Sequence, residues 1–177
     1  MATDRRCDLA KYLRDVPDYP KPGILFKDIT PLLQDAEAFA ACIDDLADLA
    51  RDTGATHIAG MESRGFLFGT PLAKQLGLGF LPIRKPGKLP WKTFAESYDL
   101  EYGQDTLEIH TDASAAGERV LLVDDLLATG GTAAASVKLV RRTGAEVVGC
   151  LFVIELGFLG GRDLLHGIEV QSLLTLE

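Results

Sequence analysis

Four short apolar runs, interleaved with helical stretches, constrain this chain more than any other feature of it. The runs are HIAGM (57–61), GFLPI (79–83), RVLLVDD (119–125) and EVVGCLFVI (146–154), and each but the last leads towards a glycine-rich or charged turn. They read as strands. The stretches from about Gly65 to Leu76 and from Thr132 to Arg142 read as helices between them. Strand, helix, strand order calls for parallel strands joined by right-handed crossovers, so the fold class is α/β, a parallel sheet flanked by helices. Between Arg84 and His110 the pattern changes. SYDLE and TLEIH alternate around Tyr102-Gly103-Gln104, which predicts an antiparallel excursion able to serve as a flap over about 84–110.

Upstream, Leu9, Tyr12, Leu13 and Val16 stand at helical spacing before Pro17, Pro20 and Pro22, so a short helix over Asp8 to Val16 is expected to precede a proline-bounded loop. A second helix is predicted from Ala36 to Asp52, where Phe39, Ile43, Leu46, Leu49 and Ala50 recur every three to four residues ahead of Gly54. With no repeat, low-complexity tract or Ser/Gly linker in 177 residues, residues 1–177 read as a single domain. The net charge of -8 offers no overall positive field for a nucleic-acid backbone or an anionic membrane. An anionic small molecule would therefore need a local cationic site. The opening MATDRRCDLA lacks the apolar stretch of a signal peptide, and no run approaches the ~20 apolar residues of a membrane span. Cys7, Cys42 and Cys150 are scattered and odd in number, which fits neither a disulfide framework nor closely spaced zinc ligands. A cytoplasmic location is the expectation.

The chemistry concentrates in Val120–Thr132, where a buried strand is expected to end in two acids before a loop opens into a helix. Ligands bind at such carboxyl ends. Gly130 and Gly131 allow unusual backbone dihedrals, so that successive N–H groups and the hydroxyls of Thr129 and Thr132 can surround a phosphate at a helix N-terminus. Asp124 and Asp125 can accept hydrogen bonds from sugar hydroxyls or hold a metal through water. The plainer alternative is that Thr132 and the acids cap a helix while the glycines make a tight turn. Two adjacent acids followed by Ala-Thr-Gly-Gly-Thr favour a ligand site.

This stretch resembles the phosphoribosyl pyrophosphate motif of the type I phosphoribosyltransferases, and VDDLLATGGT looks like the adenine-specific branch. FKDITPLL (26–33), GMESRGFLFG (60–69), RKPGKLP (84–90) and SYDLEYG (97–103) resemble the same branch in order and spacing, so the likeness covers nearly the whole chain. Lys27 stands where the family often has arginine. The resemblance implies a type I phosphoribosyltransferase fold with a small N-terminal hood over about 1–35. The implied activity transfers the 5-phosphoribosyl group from phosphoribosyl pyrophosphate to N9 of adenine, giving AMP and pyrophosphate with Mg2+. A cytoplasmic homodimer is the family expectation, with no nucleic acid and no membrane as partner.

Residue by residue, the resemblance implies that Ala128, Thr129, Gly130, Gly131 and Thr132 hold the 5-phosphate, while Asp124 and Asp125 face the ribose hydroxyls and act as electrostatic catalysts. Glu62, Ser63 and Arg64 match the pyrophosphate loop, where a non-proline cis peptide is expected and Arg64 pairs with the leaving group. Arg84, Lys85 and Lys88 are three cations within five residues, suited to pyrophosphate, although a solvated charge run has the same pattern. Leu25, Phe26 and Lys27, with Leu126, would form the adenine pocket, Phe26 stacking on the base. Glu101 and Tyr102 would close over the reacting centre, with Glu101 managing a purine proton. No metal ligand is expected directly from the protein, magnesium being held by substrate and water.

Other chemistry finds little support. His57, His110 and His166 are far apart in sequence, no Ser-His-Asp or Cys-His arrangement suggests itself, and no Walker-type lysine is present. A transferase for another base would share the phosphate and ribose contacts, but FKDITPLL argues against it. A sensor of phosphoribosyl pyrophosphate that regulates transcription or RNA would need a basic face or an added domain.

Overall fold

The computed structural model describes residues 8–99 and 104–177. Two compact units emerge, 1–45 and 46–177. In the first, Leu9–Tyr12 form a 3-10 turn, and β1 (Arg14–Pro17) pairs antiparallel with β2 (Leu25–Asp28). The helix expected over 8–16 is therefore a 3-10 turn followed by a strand. The residue before a proline is driven to extended backbone, and Phe26 lies opposite Val16 as its ladder partner, so the apolar spacing serves a hairpin instead. Helix α1 (Thr30–Gln34) begins where Asp28 Oδ1 accepts the Thr30 N–H at 2.9 Å and the Thr30 hydroxyl at 2.5 Å. Helix α2 (Ala36–Ala50) starts with the Ala38 N–H donating to Asp35 Oδ1 at 2.9 Å and ends two residues short of its expected limit, in a 3-10 turn over Arg51–Thr53.

The second unit is built on β3 (His57–Met61), α3 (Arg64–Leu76), β4 (Gly79–Ile83), β5 (Thr93–Asp99), β6 (Gln104–His110), β7 (Arg119–Leu127), α4 (Gly131–Arg142), β8 (Glu146–Leu156) and β9 (Val170–Leu176). Five strands make a parallel sheet in the order β4-β3-β7-β8-β9. All four runs read as strands lie in it. The fifth, β9, is half-buried along most of its length and carries no continuous apolar run, so it leaves a weaker signal. Between β8 and β9 the chain makes two 3-10 turns, Gly157–Leu159 and Gly161–Leu164. Strands β5 and β6 form the antiparallel excursion, with Thr93 opposite His110 and Asp99 opposite Gln104.

Strand β7 is fully buried from Val120 to Val123, as a central strand covered on both faces must be. Helix α3 packs on β3 and β7 from one side. From the other, Ala133, Val137 and Val140 of α4 and Leu107 and Ile109 of β6 close over Val120, Leu122, Cys150 and Phe152. Each large aliphatic side chain so buried contributes on the order of 1.5–3 kcal/mol. The strand order reverses between β3 and β7: one connection runs outward to β4, the next returns past β3 to β7 and on to β8 and β9. That reversal leaves a crevice at the carboxyl ends of β3 and β7.

Candidate active site

A cavity of about 480 Å3 occupies that crevice, lined by residues following β3, by the far end of β7 and by the first turn of α4. Strand β7 runs on past its acids. Asp124 pairs with Phe152 and Leu127 with Glu155 on β8, whereas pairing to β3 ends at Val123. The acids thus lie inside a strand that has lost its neighbour on one edge, and this corrects the expectation that the strand ends with them. Asp125 is only 3% exposed.

Burial and the adjacent Asp125 carboxylate push Asp124 well above the usual carboxylate range. Asp125 is also raised by burial, against the pull of Arg64, whose Nε lies 2.9 Å from Asp125 Oδ2. Arg64 opens α3, after a Glu62–Ser63 peptide that is cis. The helix approaches closely because residue 65 has no side chain: a Cβ there would stand 2.8 Å from the Val123 carbonyl oxygen and 2.9 Å from Asp124 Oδ1.

Beyond Leu127 the loop 128–130 enters α4, and Ala128, Thr129, Gly130, Gly131 and Thr132 all line the cavity. Gly130 is the N-cap residue with φ of 86°, a left-handed conformation, and no side chain caps the helix. Thr132 does not act as the cap; its hydroxyl donates to the Tyr98 hydroxyl at 3.1 Å. Behind the loop, a Cβ on Gly130 would overlap the Gly161 carbonyl oxygen, so the turn before β9 braces it. That turn is tied to the sheet by Arg162, which donates to both oxygens of the buried Glu155 carboxylate at 2.5 and 2.6 Å and to the Val170 carbonyl at 2.8 Å.

Glu62, Ser63, Lys85 and Leu126 also line the cavity. Glu62 carries a full set of donors: Arg84 bonds both its oxygens at 3.1 and 3.2 Å, and the Lys85 N–H reaches Oε2 at 2.9 Å. Burial alone would raise this carboxyl, but those donors hold it below the usual range. Arg84 and Lys88 are not in the cavity wall; Lys88 is exposed and its carbonyl accepts from Arg84 Nη1 at 3.2 Å. Glu101 and Tyr102 fall outside the described residues. Leu25, Phe26 and Lys27 belong to the first unit, where Leu25 is exposed, the Phe26 ring meets Tyr19 edge-on at 5.2 Å and Lys27 Nζ pairs with Asp15 at 2.5 Å.

Sequence reasoning passed over Tyr98 and Phe152 in the wall, Asp105 behind it, and Gly161 and Arg162 behind the loop. Tyr98 alone left a signal, as a polar-tipped aromatic on the alternating SYDLE strand. The arrangement gathers the 128–132 loop with its two threonine hydroxyls, three carboxylates (Glu62, Asp124 and Asp125) and two cations (Arg64 and Lys85) around one cavity, which suits an anionic sugar phosphate.

The phosphoribosyl transferase domain family matches this chain over residues 27–162. The adenine phosphoribosyltransferase of Sodalis glossinidius is 60% identical over 172 residues, covering 97% of this chain and 94% of its own length. That of Streptomyces coelicolor is 56% identical over 171 residues, 94% of each chain. Among solved structures, the adenine phosphoribosyltransferase of Thermoanaerobacter pseudethanolicus matches with a TM-score of 0.93 at 53% identity, covering 95% of this chain and 98% of that one. The Saccharomyces cerevisiae enzyme, solved with adenine and an imino-altritol bisphosphate, matches with a TM-score of 0.89 at 42% identity over 96% and 98% of the two chains.

Proposed function

We infer from this chain's membership of the phosphoribosyltransferase family, in its adenine-specific branch, that it is a purine-salvage glycosyltransferase acting on phosphoribosyl pyrophosphate and adenine. The 5-phosphoribosyl group passes to N9 of adenine, giving AMP and pyrophosphate. The observation that carries the reading into chemistry is the union, in one cavity, of the 128–132 nest with the Asp124–Asp125 pair and Arg64.

The proposed pose puts the 5-phosphate in that nest, at the N-terminus of α4, and the ribose hydroxyls against the two aspartates. Arg64 and Lys85 meet the pyrophosphate. As the bond from C1 to the pyrophosphate oxygen breaks, its electron pair leaves with pyrophosphate and positive charge grows on the sugar. Two crowded carboxylates, Asp124 half-buried and Asp125 buried, are costly to ionise together, and a cation forming in front of them relieves that cost, so their stabilisation is greatest in the transition state. The N9 lone pair then forms the bond to C1 and the purine proton is lost, with Glu101 its proposed acceptor.

Leu25, Phe26, Lys27 and Leu126 are the proposed adenine contacts, Arg84 and Lys88 further pyrophosphate contacts, and Tyr102 part of a closing flap. Residues 1–35 are proposed as a hood and 84–110 as the flap of one catalytic domain. Magnesium fits the donor set as an ion carried by substrate, with Asp124 and Asp125 offering oxygens for contact through water. Bound, it would neutralise pyrophosphate charge. A cytoplasmic homodimer is proposed as the working form.

Turnover with adenine, hypoxanthine, guanine, xanthine and orotate in parallel, with phosphoribosyl pyrophosphate and magnesium, tests the base. Nucleotide from adenine alone is expected. Efficient turnover of another base would overturn the adenine assignment, and binding without turnover would favour a sensor.

A further inference from the structure

Lys85 and Tyr98 both line the cavity, and both are held from behind by a residue that does not, Asp105 of β6. The Lys85 ammonium pairs with Asp105 Oδ2, and the Tyr98 hydroxyl donates to the same oxygen at 3.2 Å. The other carboxylate oxygen accepts the Thr106 N–H at 2.8 Å. The Tyr98 hydroxyl in turn accepts the bond from Thr132 in the first turn of α4. A continuous path of polar contacts therefore runs from Lys85 through Asp105 and Tyr98 to Thr132.

The Lys85 backbone is fixed as firmly as its tip. Its N–H donates to Glu62, and the preceding Arg84 exchanges two backbone hydrogen bonds with Glu108 of β6, at 2.9 and 2.7 Å. A lysine side chain is long, and a ligand that recruits it must ordinarily freeze its rotamers. Here a carboxylate outside the cavity wall does that beforehand. Lys85 and Asp105 are 39% and 29% exposed, so the pair is partly solvated and gains little as a stabilising salt bridge. Its consequence lies in where it holds the ammonium. The side-chain hydrogen bond between the two partners keeps Asp105 low and Lys85 high against burial, so both stay charged at neutral pH.

We propose that Asp105 is a positioning residue for phosphoribosyl pyrophosphate: it fixes the Lys85 ammonium at the cavity wall and, through Tyr98, ties it to the Thr132 hydroxyl in the phosphate nest. The pyrophosphate and 5-phosphate ends of the substrate are then read by one connected set of side chains. The inference rests on the proposed reading of this cavity. It also opposes a simpler alternative, in which Asp105 competes with pyrophosphate for the lysine.

Steady-state kinetics of Asp105→Asn, Lys85→Ala and the double variant, with thermal melting to verify folding, separate these. Asp105→Asn is expected to raise KM for phosphoribosyl pyrophosphate about tenfold while KM for adenine stays within about twofold. Asp105→Glu should recover part of the loss, and the double variant should be no worse than Lys85→Ala alone, because Asp105 acts through Lys85. An unchanged or lowered KM in Asp105→Asn, or additive losses in the double variant, overturns the positioning role. A Lys85→Ala defect beside a silent Asp105→Asn sinks the positioning role alone; a silent Lys85→Ala sinks the reading of this wall with it. If Asp105→Asn does not fold, Tyr98→Phe cuts the tie to Thr132 and keeps the ring. It should raise the same KM about threefold, and no change there overturns the proposal.

Discussion

Arg64 Nε lies 2.9 Å from Asp125 Oδ2, joining the residue that opens α3 to the acid inside β7 across the gap where the sheet order reverses. The guanidinium is 41% exposed and the carboxylate 4%, so the pair presents its cation outward and its anion inward. On the proposed reading, an arriving pyrophosphate would meet the arginine and the developing sugar cation would meet the acids.

The pH profile should record this. Burial raises both aspartates, and the proposed chemistry needs the pair ionised. The acid limb of kcat/KM is therefore expected above the ordinary carboxylate value of about 3.9 and belongs to the pair, not to one residue. Arg64→Gln removes the charge that opposes the rise, so the limb should move further towards neutral pH. A limb at or below ordinary carboxylate values would contradict the arrangement.

Asp124 should also cost the fold stability. A carboxyl whose pKa is raised on folding binds more protons folded than unfolded, so its contribution is intact below the unfolded value and lost as pH rises through the folded one. Asp124→Asn is predicted to raise the urea midpoint at pH 8 and to leave it nearly unchanged at pH 3, while lowering kcat about 10²–10³-fold. A lower midpoint at pH 8 would show that the ionised carboxylate is net stabilising.

Much of this site was legible because its parts are local. The VDDLLATGGT segment carries the acids, the nest and the helix start in one stretch, and each strand beside it is an unbroken apolar run. What the sequence hid is non-local or conflicted. Val16 has helical spacing, yet Pro17 and its partner Phe26 make it a strand. Asp105 is an ordinary acid until β5 pairing sets it opposite Tyr98, and Gly161 lies 31 positions from the loop it braces. The stretch beyond Asp125 reads as a loop because its strand pairing survives on the β8 side alone.

Gly130→Ala tests the nest. An alanine at φ of 86° pays about 1–2 kcal/mol in backbone strain, and its Cβ would overlap the Gly161 carbonyl. Stability should fall by at least that amount, and KM for phosphoribosyl pyrophosphate should rise well beyond KM for adenine. Intact substrate affinity in this variant would refute the phosphate assignment.

Arg162→Ala tests the brace from outside the cavity. It strips the buried Glu155 of its arginine bonds and leaves the Ser172 hydroxyl at 2.8 Å. A loss of about 1–3 kcal/mol is expected at pH 7, discounted because the arginine is half exposed. Arg162 holds the Glu155 carboxyl below its usual value, so this stabilisation is present above the unfolded pKa and disappears as pH falls. Wild-type and variant unfolding curves should therefore converge in acid. Divergence there would count against the ion pair.

The proposed catalysis depends on Asp124 and Asp125 acting on the sugar, and the most direct measurement is AMP and pyrophosphate release by the wild type and by the Asp124→Asn, Asp125→Asn double variant, with substrate binding and folding measured alongside. Equimolar products from the wild type are predicted. The double variant should stay folded and lose turnover by about 10³-fold or more. A folded double variant with wild-type turnover would contradict the account at its centre.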